Sequence, residues 1–155
     1  MPQPLFPAQI AYNIDNGSVV EEYTPSQVAG ETFGYGDFVF LAANVVKRCG
    51  ADPAAILGIS EVVSENARLL TPNGKVPIRT LNAEAVLQMC SDTIPVEATH
   101  LNVAYGIVRD ANGIWKVDVS DVVNTRVVVV RLNVAEGIWF VKMLAANLTN
   151  DGIVS

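Results

Sequence analysis

Histidine is almost missing from this chain. His100 is the only one, so any Ser, Thr or Cys nucleophile would have to share that imidazole, and no GxSxG elbow accompanies it in "ATHLN". His100 is therefore expected to be a packed or surface residue. Cysteine is nearly as scarce. Cys49 and Cys90 stand far apart without a CxxC pair, so a zinc site of ordinary ligand spacing cannot be written, and two buried free thiols are expected. Long apolar runs are absent too. "RVVVVR" is closed by Arg126 and Arg131 and "IWFVKM" is cut by Lys142, well short of the roughly 18 apolar residues of a membrane span. Positive charge is also in short supply. Ten Lys and Arg against sixteen Asp and Glu give a net charge of −6, with the basic residues scattered singly, which argues against a phosphate backbone as partner. The opening "MPQPLFPAQ" carries no cationic residue, so it does not read as a secretory signal, and an intracellular origin is expected.

Motifs for cofactors fail on order rather than on composition. "GETFGYGDF" places Gly30, Gly34 and Gly36 before an expected strand, whereas a phosphate-cradling loop follows a strand and opens a helix. "CGADPAAILGIS" lacks the Lys-Ser or Lys-Thr of a Walker loop after Gly58. Asp52 and Pro53 suit the start of a single helical turn, "PAA", that hands the chain to a strand. "VDVSD" has carboxylates without the oxygen-rich loop of a calcium site. No cofactor and no metal is expected, and no catalytic residue.

What the sequence has in quantity is apolar strand-forming residues. Half of the chain is hydrophobic and only 17% is charged, a surplus that self-association would cover. Residues 1–33 read as an extended N-terminal arm, broken by Pro2, Pro4, Pro7 and Pro25, with Leu5, Phe6, Ile10 and Tyr12 too apolar for a solvated tail. Residues 34–155 read as one β-rich domain, an antiparallel barrel or sandwich. Strands are expected near 37–41, 44–48, 56–62, 67–70, 75–79, 101–109, 114–119, 125–132 and 137–145, with tight turns at "TPNGK" and "DANG". One short helix is expected in "NAEAVLQMC", where Asn82 can cap and Ala83, Val86, Leu87 and Cys90 recur at helical spacing.

Parity along the late strands carries a stronger inference. In "LNVAYGIVR", Leu101, Val103, Tyr105, Ile107 and Arg109 share a bulky face, while Asn102, Ala104, Gly106 and Val108 share a nearly bare one. In "TRVVVVRLN" and "GIWFVKMLA" both parities are apolar, as in strands covered on two sides. One short helix is a thin supply of cover, so a second copy of the chain is expected to pack on Val128, Val130, Trp139 and Phe140. At roughly 25 cal/mol per Å² even a few hundred Å² left bare favours association.

The stretch "GDFVFLAANVVKRCGADPAAILGISEV" resembles the recurring unit of tailed-bacteriophage capsid decoration proteins, also called cement proteins. Its anchors are Gly36-Asp37 and Leu57-Gly58-Ile59, and "NGKVPIRTL" resembles the segment that follows in that family. The resemblance implies a β-fold on the outside of an expanded icosahedral shell, commonly a homotrimer, bridging copies of the major capsid protein. It implies a non-enzymatic role in the virion, on the capsid exterior, with assembly in the host cytoplasm. Leu5, Phe6, Ile10 and Tyr12 would then touch the capsid or a neighbour. A phage tail or baseplate component and a small-ligand-binding β-barrel are the alternatives.

Overall fold

Alternation rather than helical spacing governs nearly every segment of the computed structural model, which describes residues 3–13, 20–23, 35–42, 45–50, 53–61 and 76–148. Eleven strands are formed there: β1 (Gln9–Asn13), β2 (Val20–Tyr23), β3 (Phe38–Ala42), β4 (Val45–Arg48), β5 (Gly58–Ser60), β6 (Val76–Thr80), β7 (Ala85–Met89), β8 (Ala104–Arg109), β9 (Trp115–Asp118), β10 (Val127–Asn133) and β11 (Ile138–Met143). They make two antiparallel sheets, one of six strands in the order β1-β7-β11-β10-β8-β9 and one of five in the order β2-β6-β5-β3-β4. The expected all-β antiparallel class is thus present, as an open sandwich and not a closed barrel.

Side chains that alternate inward from both sheets fill the core. Phe38 and Ile59 come from the five-stranded sheet, and Leu87, Met89, Tyr105, Ile107, Trp115, Val129, Trp139 and Val141 from the six-stranded one. The bulky face read in "LNVAYGIVR" is the one that points into this core through Tyr105 and Ile107. Arg109 lies on the same parity, and a charge on a core-facing position must find a partner. That partner is Asp37. Its fully buried carboxylate accepts from Arg109 Nε at 2.8 Å and from Trp115 Nε1 at 3.0 Å, while Phe38 meets the Trp115 ring edge-on at 5.1 Å. One carboxylate at the head of β3 thereby ties the smaller sheet to β8 and β9 of the larger.

Just before Asp37, Gly36 lets the chain pass close against Pro7 and Ala8. Its φ of +83° is left-handed, and a Cβ there would stand 2.7 Å from Pro7 Cβ and 2.8 Å from the Ala8 carbonyl oxygen. The β8–β9 turn behaves as "DANG" suggests. Asp110 Oδ1 accepts the N–H groups of Asn112 and Ile114, both at 2.9 Å, and Gly113 takes φ +83°.

Two expectations need correction. The segment "NAEAVLQMC" is not a helix. Asn82 Oδ1 does accept from the N–H groups of Glu84 and Ala85, at 3.0 and 3.1 Å, but these bonds close a turn that leads into β7. Ala85, Leu87 and Met89 alternate inward as well as the helical set recurs, and β7 pairs on both sides, with β1 and β11. Two ladders outweigh two turns of marginal helix. The helix that forms is α1 (Glu97–His100).

The arm, residues 1–33, lies along the chain's own sheets where it is described, β1 pairing with β7 and β2 with β6. Residues 53–55 do not form a helical turn; the Pro53 carbonyl accepts from Arg126 Nε at 2.7 Å, and the strand that follows spans only Gly58–Ser60. The expected strand 67–70, the turn at 71–75 and Asp52 lie outside the described residues.

Candidate functional site

Between β10 and β11 the ladder sorts the apolar residues of both strands into two rows. Val127, Val129 and Leu132 face Met143, Val141 and Trp139 on the inner side, and all six are buried. Val128 lies opposite Lys142, and Asn133 opposite Ile138, on the outer side, where Ile138 and Phe140 are only half-buried. The register shifts between Val129 and Arg131, so Val130 is the extra residue of a bulge. A bulge sends two successive side chains the same way, and Val130 and Arg131 both stand outward of the buried pair Val129 and Leu132.

The inner row therefore needs no second copy, because the chain's own smaller sheet covers it. Trp139, expected at a subunit contact, is wholly buried in the core of its own chain. Among the described residues its Nε1–H has no hydrogen-bond partner, and the ring lies tilted against His100 at 5.0 Å. Among the described residues, two cationic side chains flank the outer row. The Arg131 guanidinium carbon sits 4.8 Å above the Phe140 ring, and Lys142 reaches Glu84 at 3.7 Å.

At the end of this hairpin the chain's first described residues come into play. Gly137 has φ +69°, and a Cβ there would stand 2.6 Å from Gln3 Oε1 and 2.8 Å from Pro4 Cδ. That close approach seats Gln3 and Pro4 on the β10–β11 turn, which Asn133 braces by accepting the Glu136 N–H at 3.1 Å. Beside it opens a groove of about 420 Å³ lined by Pro4, Ile94, Val134 and Ala135, with Gln3 and Glu136 as its polar members. Ile94 is 60% exposed and Val134 48%. Two large aliphatic side chains open to solvent on one groove are more than the scattered single exposures normal for a protein surface.

Of the four residues expected to make contacts from the arm, Leu5 is exposed and follows Pro4 of the groove in sequence. Phe6 is half-buried and its carbonyl accepts from the Cys90 thiol at 3.5 Å. Ile10 is half-buried against the core. Tyr12 belongs to β1 opposite Val86, and its side chain lies outside the described residues. Val128, Val130 and Phe140 remain on the outer row.

Titratable groups elsewhere are engaged in structure. The Val96 N–H donates to His100 Nδ1 at 2.9 Å, so the imidazole serves α1 as an internal cap in place of the missing N-cap side chain. Burial pushes the Cys49 thiol up to about 12, with Asp37 adding to the effect, and burial also raises Cys90; both are free thiols. Lys116 Nζ lies 2.8 Å from Asp92 and 3.2 Å from Asp110. Its hydrogen bond to Asp92 is the chief cause of its raised pKa. Burial opposes ionisation of Asp110, but donors from Ile114, Lys116 and Asn112 together hold its carboxyl below the usual carboxylate range. Asp118 and Asp121 of "VDVSD" accept N–H groups of their own loop, at Ser120 and at Val123 and Asn124. Among the described residues no three His, Cys, Asp or Glu side chains are grouped to hold a metal ion.

Sequence reasoning missed the Asp37, Arg109 and Trp115 tie and the groove. Arg109 on the bulky parity of β8 was a signal for the first. The second had none, because Pro4, Ile94 and Val134 come from three distant parts of the chain. No known family model matches this chain, and no curated protein sequence matches it.

Proposed function

We propose that this chain is a non-catalytic structural protein that binds the outer surface of a tailed-bacteriophage capsid as a homotrimer and stabilises the mature shell, with the major capsid protein as its partner. The observation that carries the reading is the pair of apolar surfaces on one rigid sandwich: the outer row of β10 and β11, and the groove at the hairpin's end. Two surfaces suit a protein that must hold copies of itself with one and a lattice with the other. The resemblance of the Gly36-Asp37 and Leu57-Gly58-Ile59 segments to decoration proteins supplies the kind of lattice.

Stabilisation follows from linkage. A protein that binds the assembled shell and not the separated subunits lowers the free energy of the intact lattice, and three tethered copies hold on more firmly than one. The inner row is already sealed, so the outer row alone drives association, with Val128, Val130, Ile138 and Phe140 as its apolar members.

Deleting the first thirty residues is a poor test, because it removes β1 and β2 from their sheets. Point changes are cleaner. The chain is expected to run as a trimer by light scattering and to co-sediment saturably with undecorated shells of the virus that encodes it. Ile94→Asp with Val134→Asp is expected to abolish co-sedimentation while leaving the trimer. A monomer at high concentration that ignores such shells overturns the reading.

A further inference from the structure

A cavity of about 250 Å³ opens at the seam where the two sheets part, between β1 on one side and β5 and β6 on the other. Ile10 and Ile59 supply its apolar floor. Around the floor stand Gln9 of β1, Tyr35 just before β3, Glu61 just after β5 and Arg79 of β6. Arg79 Nε donates to Glu61 Oε1 at 2.7 Å. Among the described residues that is the only polar contact made by any of these four side chains. The Arg79 Nη groups, Glu61 Oε2, the Gln9 carboxamide and the Tyr35 hydroxyl therefore bring unused donors and acceptors to the lining of one space.

This sets the seam apart from the more enclosed ion pairs at Asp37 and Lys116. Around Asp37 and around Lys116 the polar atoms are spent on one another. At the seam the cation and the carboxylate cancel in charge and leave most of their hydrogen-bonding capacity over.

We propose that the seam cavity binds carbohydrate, one neutral hexose ring of a glycan. Charge cancellation disfavours both an anion, which would meet Glu61, and a cation, which would meet Arg79. Mixed donors and acceptors around an apolar floor match a ring with hydroxyls on its edge and C–H groups on its face, and the Tyr35 ring, 39% exposed, offers a surface for that face to stack on. The volume lies below the roughly 300–1,000 Å³ of pockets for drug-sized ligands, as suits a single ring. The site sits at the β1 edge and is independent of shell attachment.

The test is a titration of the full ¹⁵N-labelled chain, followed by amide chemical shifts, with glucose, galactose, mannose and N-acetylglucosamine, and with anionic glucuronate and cationic glucosamine. At least one neutral sugar is expected to give saturable shifts confined to residues 8–10, 35, 59–61 and 79, with both charged sugars several-fold weaker. Tyr35→Ala and Arg79→Met, each keeping a native spectrum, are expected to weaken binding about fivefold or more. If Arg79→Met disturbs the sandwich, Gln9→Ala takes its place. Absence of saturable shifts with every neutral sugar, tighter binding of glucuronate than of any neutral sugar, or equal affinity in wild type and variants overturns the proposal.

Discussion

The two sheets each have a face turned away from the shared core, and those faces differ. On the five-stranded sheet Val39, Val46 and Ile78 lie opposite in parity to Phe38 and Ile59, outside the main core cluster, and all three are fully buried. On the six-stranded sheet the corresponding outward row of Val128, Ile138 and Phe140 is half-buried beneath Arg131 and Lys142. Both sheets contain strands apolar on two sides, yet among the described residues the far face of the smaller sheet is the more fully covered, with Leu41 its exposed member. A doubly apolar strand says that cover exists or is wanted; it does not say who supplies it. The row left half-open is the one available to another molecule.

Truncation should separate the faces. Trp139→Ala, on the inner face of β11, is expected to cost about 3–5 kcal/mol and Ile78→Ala, on the far face of the smaller sheet, about 2–5 kcal/mol, both read by urea denaturation. If Ile78→Ala proved as mild as a surface change, the contrast between the far faces would collapse. Arg109→Met takes the guanidinium away from the buried Asp37 carboxylate, and about 2–3 kcal/mol is expected, discounted because the arginine is partly solvated. Loss of β8–β9 protection in hydrogen exchange ahead of β10–β11 would localise that effect to the tie between sheets.

On the outer row, Phe140→Glu is expected to leave folding stability within about 1 kcal/mol of wild type. Self-association should weaken about tenfold or more in sedimentation equilibrium, because a charge is then carried into the contact. Unchanged association would free the row from any role in assembly. The smallest effect concerns pH. Asp110 titrates lower in the folded chain than unfolded, so its contribution is full above the unfolded carboxylate range and is lost as pH falls through the folded value. Lys116 is raised, so its contribution is full below the unfolded lysine range and fades as pH rises through the folded one. Asp110→Asn should flatten the acid limb of the stability profile, measured by thermal melts across pH, and leave the alkaline limb less steep.

Period-2 patterning made the β class, the β8–β9 turn and most of β3 to β6 and β8 to β11 legible. Where two periods fit the same residues, as in "NAEAVLQMC", the sequence could not choose, since the outcome depended on β1 and β11 arriving on either side. Proline density hid β1 and β2, although Gln9–Asn13 itself contains no proline and pairs with β7. The groove and the seam cavity were invisible for a different reason. Each is assembled from residues far apart in the chain, none of which is unusual alone.

Arg131 has no carboxylate partner among the described residues, and its hold on the Phe140 ring is worth about 0.5–1 kcal/mol. That makes the guanidinium a shutter on a weak spring. An acidic group brought alongside competes with the ring for the guanidinium, so electrostatic approach and nonpolar docking at this spot are coupled, and added salt should slow both together.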